Sequence, residues 1–308
     1  MAREAAAQHY LTDAFAAGHL RTPVSAIRDF WHHRYPTFWP NLQRKVAADT
    51  ASALKELLWQ ARFLPDDFLY DRTHTAVKAR TQGYPPITFG DLLARVFHDW
   101  DNTHGLTVES GGKLFGDGLL EQGVGRKLVV AAVRAGIADI EVAYRLGVSG
   151  SRLHGAALYQ AVRSATGALG TAFIPETLIP VPSADNPPQN WRTPDIETLW
   201  DCPIVGTTGT TVGMAVEQTL RPGTEVFRRL DGLGPGVFEV PGLRPVPALR
   251  RWVARKAGQA YHQGFIRGLA QDPKAVTLAI VGTEAAPRGP ELIPAAEPLA
   301  AGKPLALS

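Results

Sequence analysis

The chain has 308 residues, 45% of them hydrophobic, and its 32 basic and 29 acidic side chains leave a net charge of +3. That length and apolar content supply a packed core for one large domain or two ordinary ones, and the mixed charges exclude the concentrated basic profile of a general nucleic-acid binder. A single cysteine, Cys202, excludes an intrachain disulfide and a cysteine-built zinc site.

Taken in chain order, the first half predicts helices. Ala5 to Ala17 is rich in strong helix formers. Asp49 or Thr50 is placed to cap a helix through "ASALKELLWQARF", with Leu54, Leu57, Leu58 and Ala61 at helical spacing. "TFGDLLARVFHDWD" opens at Thr88 and repeats Leu92, Leu93, Val96 and Phe97 along one face. "GLTVESGGKLFGDG", Gly105 to Gly118, alternates about Gly111-Gly112 and predicts a small hairpin. A long apolar helix is expected from Gly125 to Gly147, with Gly147 as its stop, and another through "SRLHGAALYQAVRSATG".

From about Gly167 the texture changes. "FIPETLIPVPSADNPPQNWRTPD" carries six prolines, which forbid a long helix or a central strand and predict an extended, wrapping segment. "TVGMAVEQTL" and Pro247 to Gln271 read as later helices, and the basic run "LRRWVARK" as a solvated helix face. The Pro- and Ala-rich residues 284–308 are expected to be a disordered tail. The expected organisation is a helical metal-binding domain over 1–166, a wrapping segment with helices over 167–283, and that tail. No run reaches the roughly 18 to 20 apolar residues of a membrane span, and the N-terminus lacks a cleavable signal core. The expectation is a protein that stays in the cytoplasm or is exported by a dedicated route.

Two clusters carry metal-binding chemistry. In "QHYLTDAFAAGHLRTP", His9 and Asp13 stand at i and i+4 and share a helix face. His19 lies roughly 80° to the other side, with Gly18 free to bend the backbone and aim its imidazole. Imidazole nitrogens and carboxylate oxygens are zinc-type ligands. The alternative is a surface ion pair and an isolated histidine. In "FHDWDNTHG", His98, Asp99, Asp101 and His104 fall within seven residues, with His98 and Asp101 at i and i+3. The alternative there is a solvated helix end. Two half-sites on separate helices are what a bundle core needs to assemble one metal centre.

The spacing His-x3-Asp-x5-His from His9 to His19, opening on "HYL", resembles the bacterial zinc-dependent phospholipase C family and the zinc-dependent single-strand nucleases that share its helical fold. "AFAAGHLRTP", "FHDWDNTHGL" and "FGDGLL" are also similar to bacterial proteins described as phospholipase C-like. The resemblance covers roughly residues 4–165. It implies a mainly α fold, a helical bundle like that of zinc-dependent phospholipase C. It also implies one to three zinc ions, with His9, Asp13 and His19 as ligands. Those families follow with a histidine and a carboxylate four residues on. Here the fourth position after His98 is Asn102, so Asp101 is taken as the ligand beside His98; His33, the rival histidine, has Thr37 four residues on.

The families' further ligands and their bridging aspartate lie upstream, whereas eight residues precede His9. The expectation is a shortened homologue or one whose partner chain supplies the missing ligands. The implied activity is hydrolysis of a phosphodiester, with hydroxide generated at the metal attacking phosphorus. A phospholipid substrate and transient membrane-surface contact follow from the resemblance, with nucleic acid a weaker expectation. Asp99 or His104 would orient the water or a ligand imidazole, and Arg21 would neutralise a phosphate oxygen. Trp31, Tyr35, Phe38 and Trp39 are read as core in preference to a lipid or base pocket. The rivals are a nuclease of the same fold and a structural or interaction module without turnover.

Overall fold

The computed structural model describes residues 11–166, 178–207 and 247–282, apart from Tyr84, Ser110, Ser151, Pro182, Ala184 and Asp185. The described chain is mainly helical, as the residue patterning implies. In order, the helices are α1 (Ala17–Arg21), α2 (Val24–Arg34), α3 (Phe38–Leu57), α4 (Asp66–Thr81), α5 (Phe89–His104), α6 (Gly125–Val148), α7 (Gly155–Thr166), α8 (Ile196–Leu199), α9 (Pro203–Thr207), α10 (Pro247–Tyr261), α11 (Arg267–Gln271) and α12 (Pro273–Val281). A 3-10 turn, Trp59–Phe63, links α3 to α4, and a π turn, His262–Ile266, joins α10 to α11. No helix among the described residues is long and apolar enough to cross a membrane.

Two helices organise the rest. α3 packs against α4, α10 and α12, and α5 packs against α1, α2 and α9. Between them lies a core of Ile27, Trp31, Phe38, Leu42, Val96, Phe97, Tyr261 and Phe265. Trp31, Tyr35 and Phe38 are buried there, with Trp31 stacked on Tyr35 at 5.8 Å between ring centroids. Removing one such ring, as in Phe97→Ala, costs about 3–5 kcal/mol. Trp39 differs: it is half-buried and helps line an open cleft of about 500 Å³ with Gln43, Lys78 and Gln82.

α3 begins well before the expected cap. Pro40 sits in its first turn, where a missing N–H breaks no helical bond. Asp49 lies inside the helix and pairs with Lys45 one turn back, and Thr50 is fully buried. α5 starts as its sequence suggests: Thr88 and Asp91 form a reciprocal capping box. The hairpin pairs Leu106 with Leu114 and Thr107 with Lys113, and Gly111 takes φ +78° at its turn. Among the prolines, Val181 N–H donates to Thr107 O and Glu109 N–H donates to Ile179 O, so this segment runs along the hairpin edge as a strap. α6 runs to Val148, one residue past Gly147, and Gly150 takes the positive φ beyond it. The helix expected at "TVGMAVEQTL" and the tail 284–308 lie outside the described residues, as does 167–177 of the proline-rich segment.

His74 on α4 supplies a pH test of the α3–α4 packing. Burial lowers its pKa below the usual 6.5, and the Lys78 and Arg44 charges add to this against Asp71. Its Nε2 is buried without a hydrogen-bond partner. A depressed imidazole pKa means the unfolded chain takes up the proton first, so stability is full above the ordinary value and falls as pH drops through the window below it. Thermal melts of the wild type should therefore lose Tm on acidification below about pH 6.5, and His74→Leu should flatten that decline. An unchanged slope in the variant would remove His74 from the account.

Candidate metal-ligand site

α5 builds the site from its periodicity. Leu92, Leu93, Val96 and Phe97 are buried on one face, which fixes the rotation of the helix. His98 follows Phe97 and turns about 100° away from that core face, towards α1. Asp101 and Asn102 stand three and four residues on, on the same side as His98.

α1 meets α5 at Gly18. A Cβ built there would lie 2.5 Å from His98 O and 2.9 Å from Asn102 Oδ1, so only glycine permits the approach. Gly18 N–H donates to Asn102 Oδ1 at 2.6 Å. The role of Gly18 is thus close packing, where the sequence suggested a flexible bend. Gly116, in "FGDG", is also pressed against the Asn102 side chain and leaves no room for a Cβ.

This crossing brings His19 to His98. Their Nε2 atoms are 3.1 Å apart, and the rings meet edge-on with centroids 4.7 Å apart. Two ligands at about 2.0–2.1 Å from one tetrahedral zinc stand about 3.3 Å apart. The separation therefore suits two imidazoles sharing one ion. On the far side of the His98 ring, Nδ1 lies 2.9 Å from Asp99 Oδ1; Asn102 Nδ2 lies 3.3 Å from Nε2, the atom that meets His19. Asp99 also accepts from Arg95 Nε at 2.8 Å. Burial pushes the Asp99 carboxyl up, but hydrogen bonds with His98 and Arg95 and the Arg95 charge outweigh it and hold the group below its usual range.

Arg21 and Asp101 take each other as partners. Arg21 donates from Nε to Asp101 Oδ2 at 2.8 Å and from its terminal nitrogen to Oδ1 at 2.6 Å, a bidentate pair. Gln189 Nε2 adds a third donor at 2.8 Å. Arg21 reaches onward to the carbonyls of Asn186 and Pro187. Asp101 is 1% exposed. Burial pushes its carboxyl above the usual range, with Arg21 and Gln189 pulling the other way. The geometry thus departs from the expected roles: Asp101 spends its oxygens on these donors instead of standing beside His98 as a ligand, and Arg21 faces a protein carboxylate instead of open space for a phosphate.

The remaining candidates lie apart or outside. His104 is exposed, stacks on Trp100 with centroids 3.7 Å apart and contacts Trp100 O through Nδ1. His33 is exposed on α2 and contacts Asp29 O. Asp13 is half-buried at the end of the helical residues 11–13, before the turn that leads to α1, and its carbonyl accepts from Ala16 N–H. His9 lies outside the described residues. Among the described residues, no group of three or more His, Cys, Asp or Glu side chains is gathered to hold a metal. Gly116 and Gln189 carry no signal in the sequence; Gly18 reads there only as a bend before His19, and Asn102 only as the position where the families place a carboxylate. No protein-family model, curated protein or solved structure matches the chain.

The ion pair is testable alone. Arg21→Ala should destabilise by about 3 kcal/mol because it leaves Asp101 buried and unpaired. Arg21→Met with Asp101→Leu should recover part of that loss, since an apolar pair carries no desolvation cost. Denaturant titrations of the three proteins read both quantities; equal losses in the single and double variants would overturn the account. Gly18→Ala should cost about 1–3 kcal/mol by overpacking and separate the two histidines, visible as altered imidazole NMR shifts for His19 and His98.

Proposed function

We propose that the protein is a zinc-dependent hydrolase of phosphodiester bonds, resembling phospholipase C. The observation that carries this reading is the meeting of His19 and His98, 79 positions apart, with Nε2 atoms 3.1 Å from each other. The chemistry of the donor set fits: two imidazole nitrogens, one backed by a carboxylate as zinc-bound histidines usually are. His19 and His98 would hold the ion, with His9 and Asp13 as the further ligands that the sequence spacing supplies. Bound zinc supplies a Lewis acid that acidifies water and polarises a phosphoryl oxygen.

The chain's own residues have separate tasks. Asp99 holds His98 Nδ1 and leaves Nε2 directed at His19. Asn102 ties the His98 helix to the Gly18 backbone and fixes the separation of the two rings. Arg21 and Asp101 anchor α1 from the other side of His19. In this reading they are positioning residues.

A second reading has its own observation. The described residues gather two ligands and no third, which suits a module that keeps the fold, and one stabilising ion, without turnover. Metal analysis and activity separate the two. After zinc-replete purification the full chain should carry at least one zinc, and His19→Ala and His98→Ala should each lose it. Hydrolysis of bis(p-nitrophenyl) phosphate should disappear in the same variants and on chelation. Zinc without hydrolysis would favour the module, and less than one zinc per chain would end the metal reading.

A further inference from the structure

α6 is 24 residues long, and its buried Val129 and Ala132 pack with Leu106, Leu114 and Leu178 of the hairpin and the strap beside it. Another face of the helix is also apolar. Val130, Ile137 and Tyr144, each seven residues from the next, are 40%, 56% and 71% exposed. Val133 and Ile140, three residues after the first two, are half-buried beside them. This is the a/d pattern of a helix that pairs with another helix. Val148 extends the stripe and is 70% exposed. Gly147 takes the d position after Tyr144, and among the described residues a Cβ there would meet nothing within 4 Å. Packing within the described residues therefore gives no reason for glycine at that point. One edge of the seam is charged: Arg134 and Glu141 are both exposed, and Glu141 pairs with Arg145 on its own helix. The opposite edge carries the small residues Gly136 and Ala143.

We propose that this seam pairs, antiparallel, with the same seam of a second copy of the chain to make a symmetric dimer. The order of residues along α6 selects its own copy, because an isologous interface must be complementary to itself across a two-fold axis. An axis between Ile137 and Ile140 sets Ile137 of each copy opposite Ile140 of the other. It also sets the large Tyr144 opposite the smaller Val133, and lets Val130 fill the open space at Gly147. At a rise of 1.5 Å per residue, Arg134 of one copy then lies within about 3 Å along the axis of Glu141 of the other. The two stand on the same edge of the seam, so the dimer gains this opposite-charge meeting twice. On the other edge Gly136 meets Ala143, and their small size lets the backbones approach. A parallel pair would set the charged edge against the small one and leave Arg134 and Glu141 without complements. The pairing makes no use of His19 or His98 and stands whether or not they hold zinc.

Sedimentation equilibrium of the full chain tests the pairing. The wild type should show a monomer–dimer equilibrium with a dissociation constant on the order of 10 µM, in keeping with a short seam. Arg134→Glu and Glu141→Arg should each raise that constant at least about tenfold by setting like charges across the interface. An equimolar mixture of the two variants should regain wild-type association, because every reversed charge then meets its opposite in the mixed dimer. Ile137→Glu should abolish association while leaving the helix content by circular dichroism unchanged. A wild type that stays monomeric at about 100 µM would overturn the proposal, since the seam would then be open or covered from within the same chain. So would a dimer that all three variants leave intact, which would use another surface. A mixture that fails to regain association would also overturn it, because the copies would then pair in another orientation.

Discussion

A buried carboxylate is the constraint around which the site end of the molecule is arranged. Asp101 is almost wholly removed from water, and its burial is tolerable only with donors on both oxygens. Arg21 supplies two, and Gln189 a third. Arg21 then needs acceptors for its remaining N–H groups and finds them at the Asn186 and Pro187 carbonyls. One ion pair thus joins α1, α5 and the proline-rich strap. The strap suits this role because Pro187 and Pro188 have no N–H of their own. Asn186 completes the join with its side chain, which exchanges hydrogen bonds with Thr107 N–H and O in the manner of a paired strand.

The position of His19 follows from its neighbours. α1 is only five residues long, too short to hold itself as a helix. It is pinned at Gly18 by close contact with α5 and the bond to Asn102, and at Arg21 by the ion pair. His19 lies between these two pins. The meeting with His98 is therefore set by contacts that precede any ligand, and this is the kind of preorganisation that a metal centre needs from its surroundings.

The legible part of the fold was local. The capping box at Thr88, the apolar face of α5 and the Gly111 turn depend on residues within a few positions of each other, and their patterns are short and specific. The start of α3 is not legible locally, because Asp49 and Thr50 are good caps in isolation, whereas burial against α4 and α10 continues the helix on their N-terminal side. In the site, the sequence marked both His19 and His98, since imidazoles at helical spacing are conspicuous. It did not show what Asp101 does. A carboxylate three residues from a histidine has the same spacing whether it faces a metal or an arginine 80 residues away. Which of the two it faces depends on the crossing of α1 over α5, and hence on Gly18, a residue whose contribution is the absence of a side chain.

The histidine pair has an internal asymmetry that follows from its surroundings. Asp99 is held as an anion by His98 and by Arg95, and it accepts a hydrogen bond best from a protonated Nδ1. That tautomer leaves a lone pair on His98 Nε2, directed at His19. If His19 also presented a lone pair at 3.1 Å, the two would repel. Asn102 Nδ2 offers His98 Nε2 one donor at 3.3 Å, and two further candidates relieve the repulsion: the Nε2 proton of His19, or a cation taken by both rings. The first makes an ordinary hydrogen bond between neutral imidazoles. The second would require His19 to carry its proton on Nδ1 instead, a change of tautomer with no net loss of a proton. Asp99 thereby sets which ring presents a lone pair at Nε2 and which would have to change tautomer to do so.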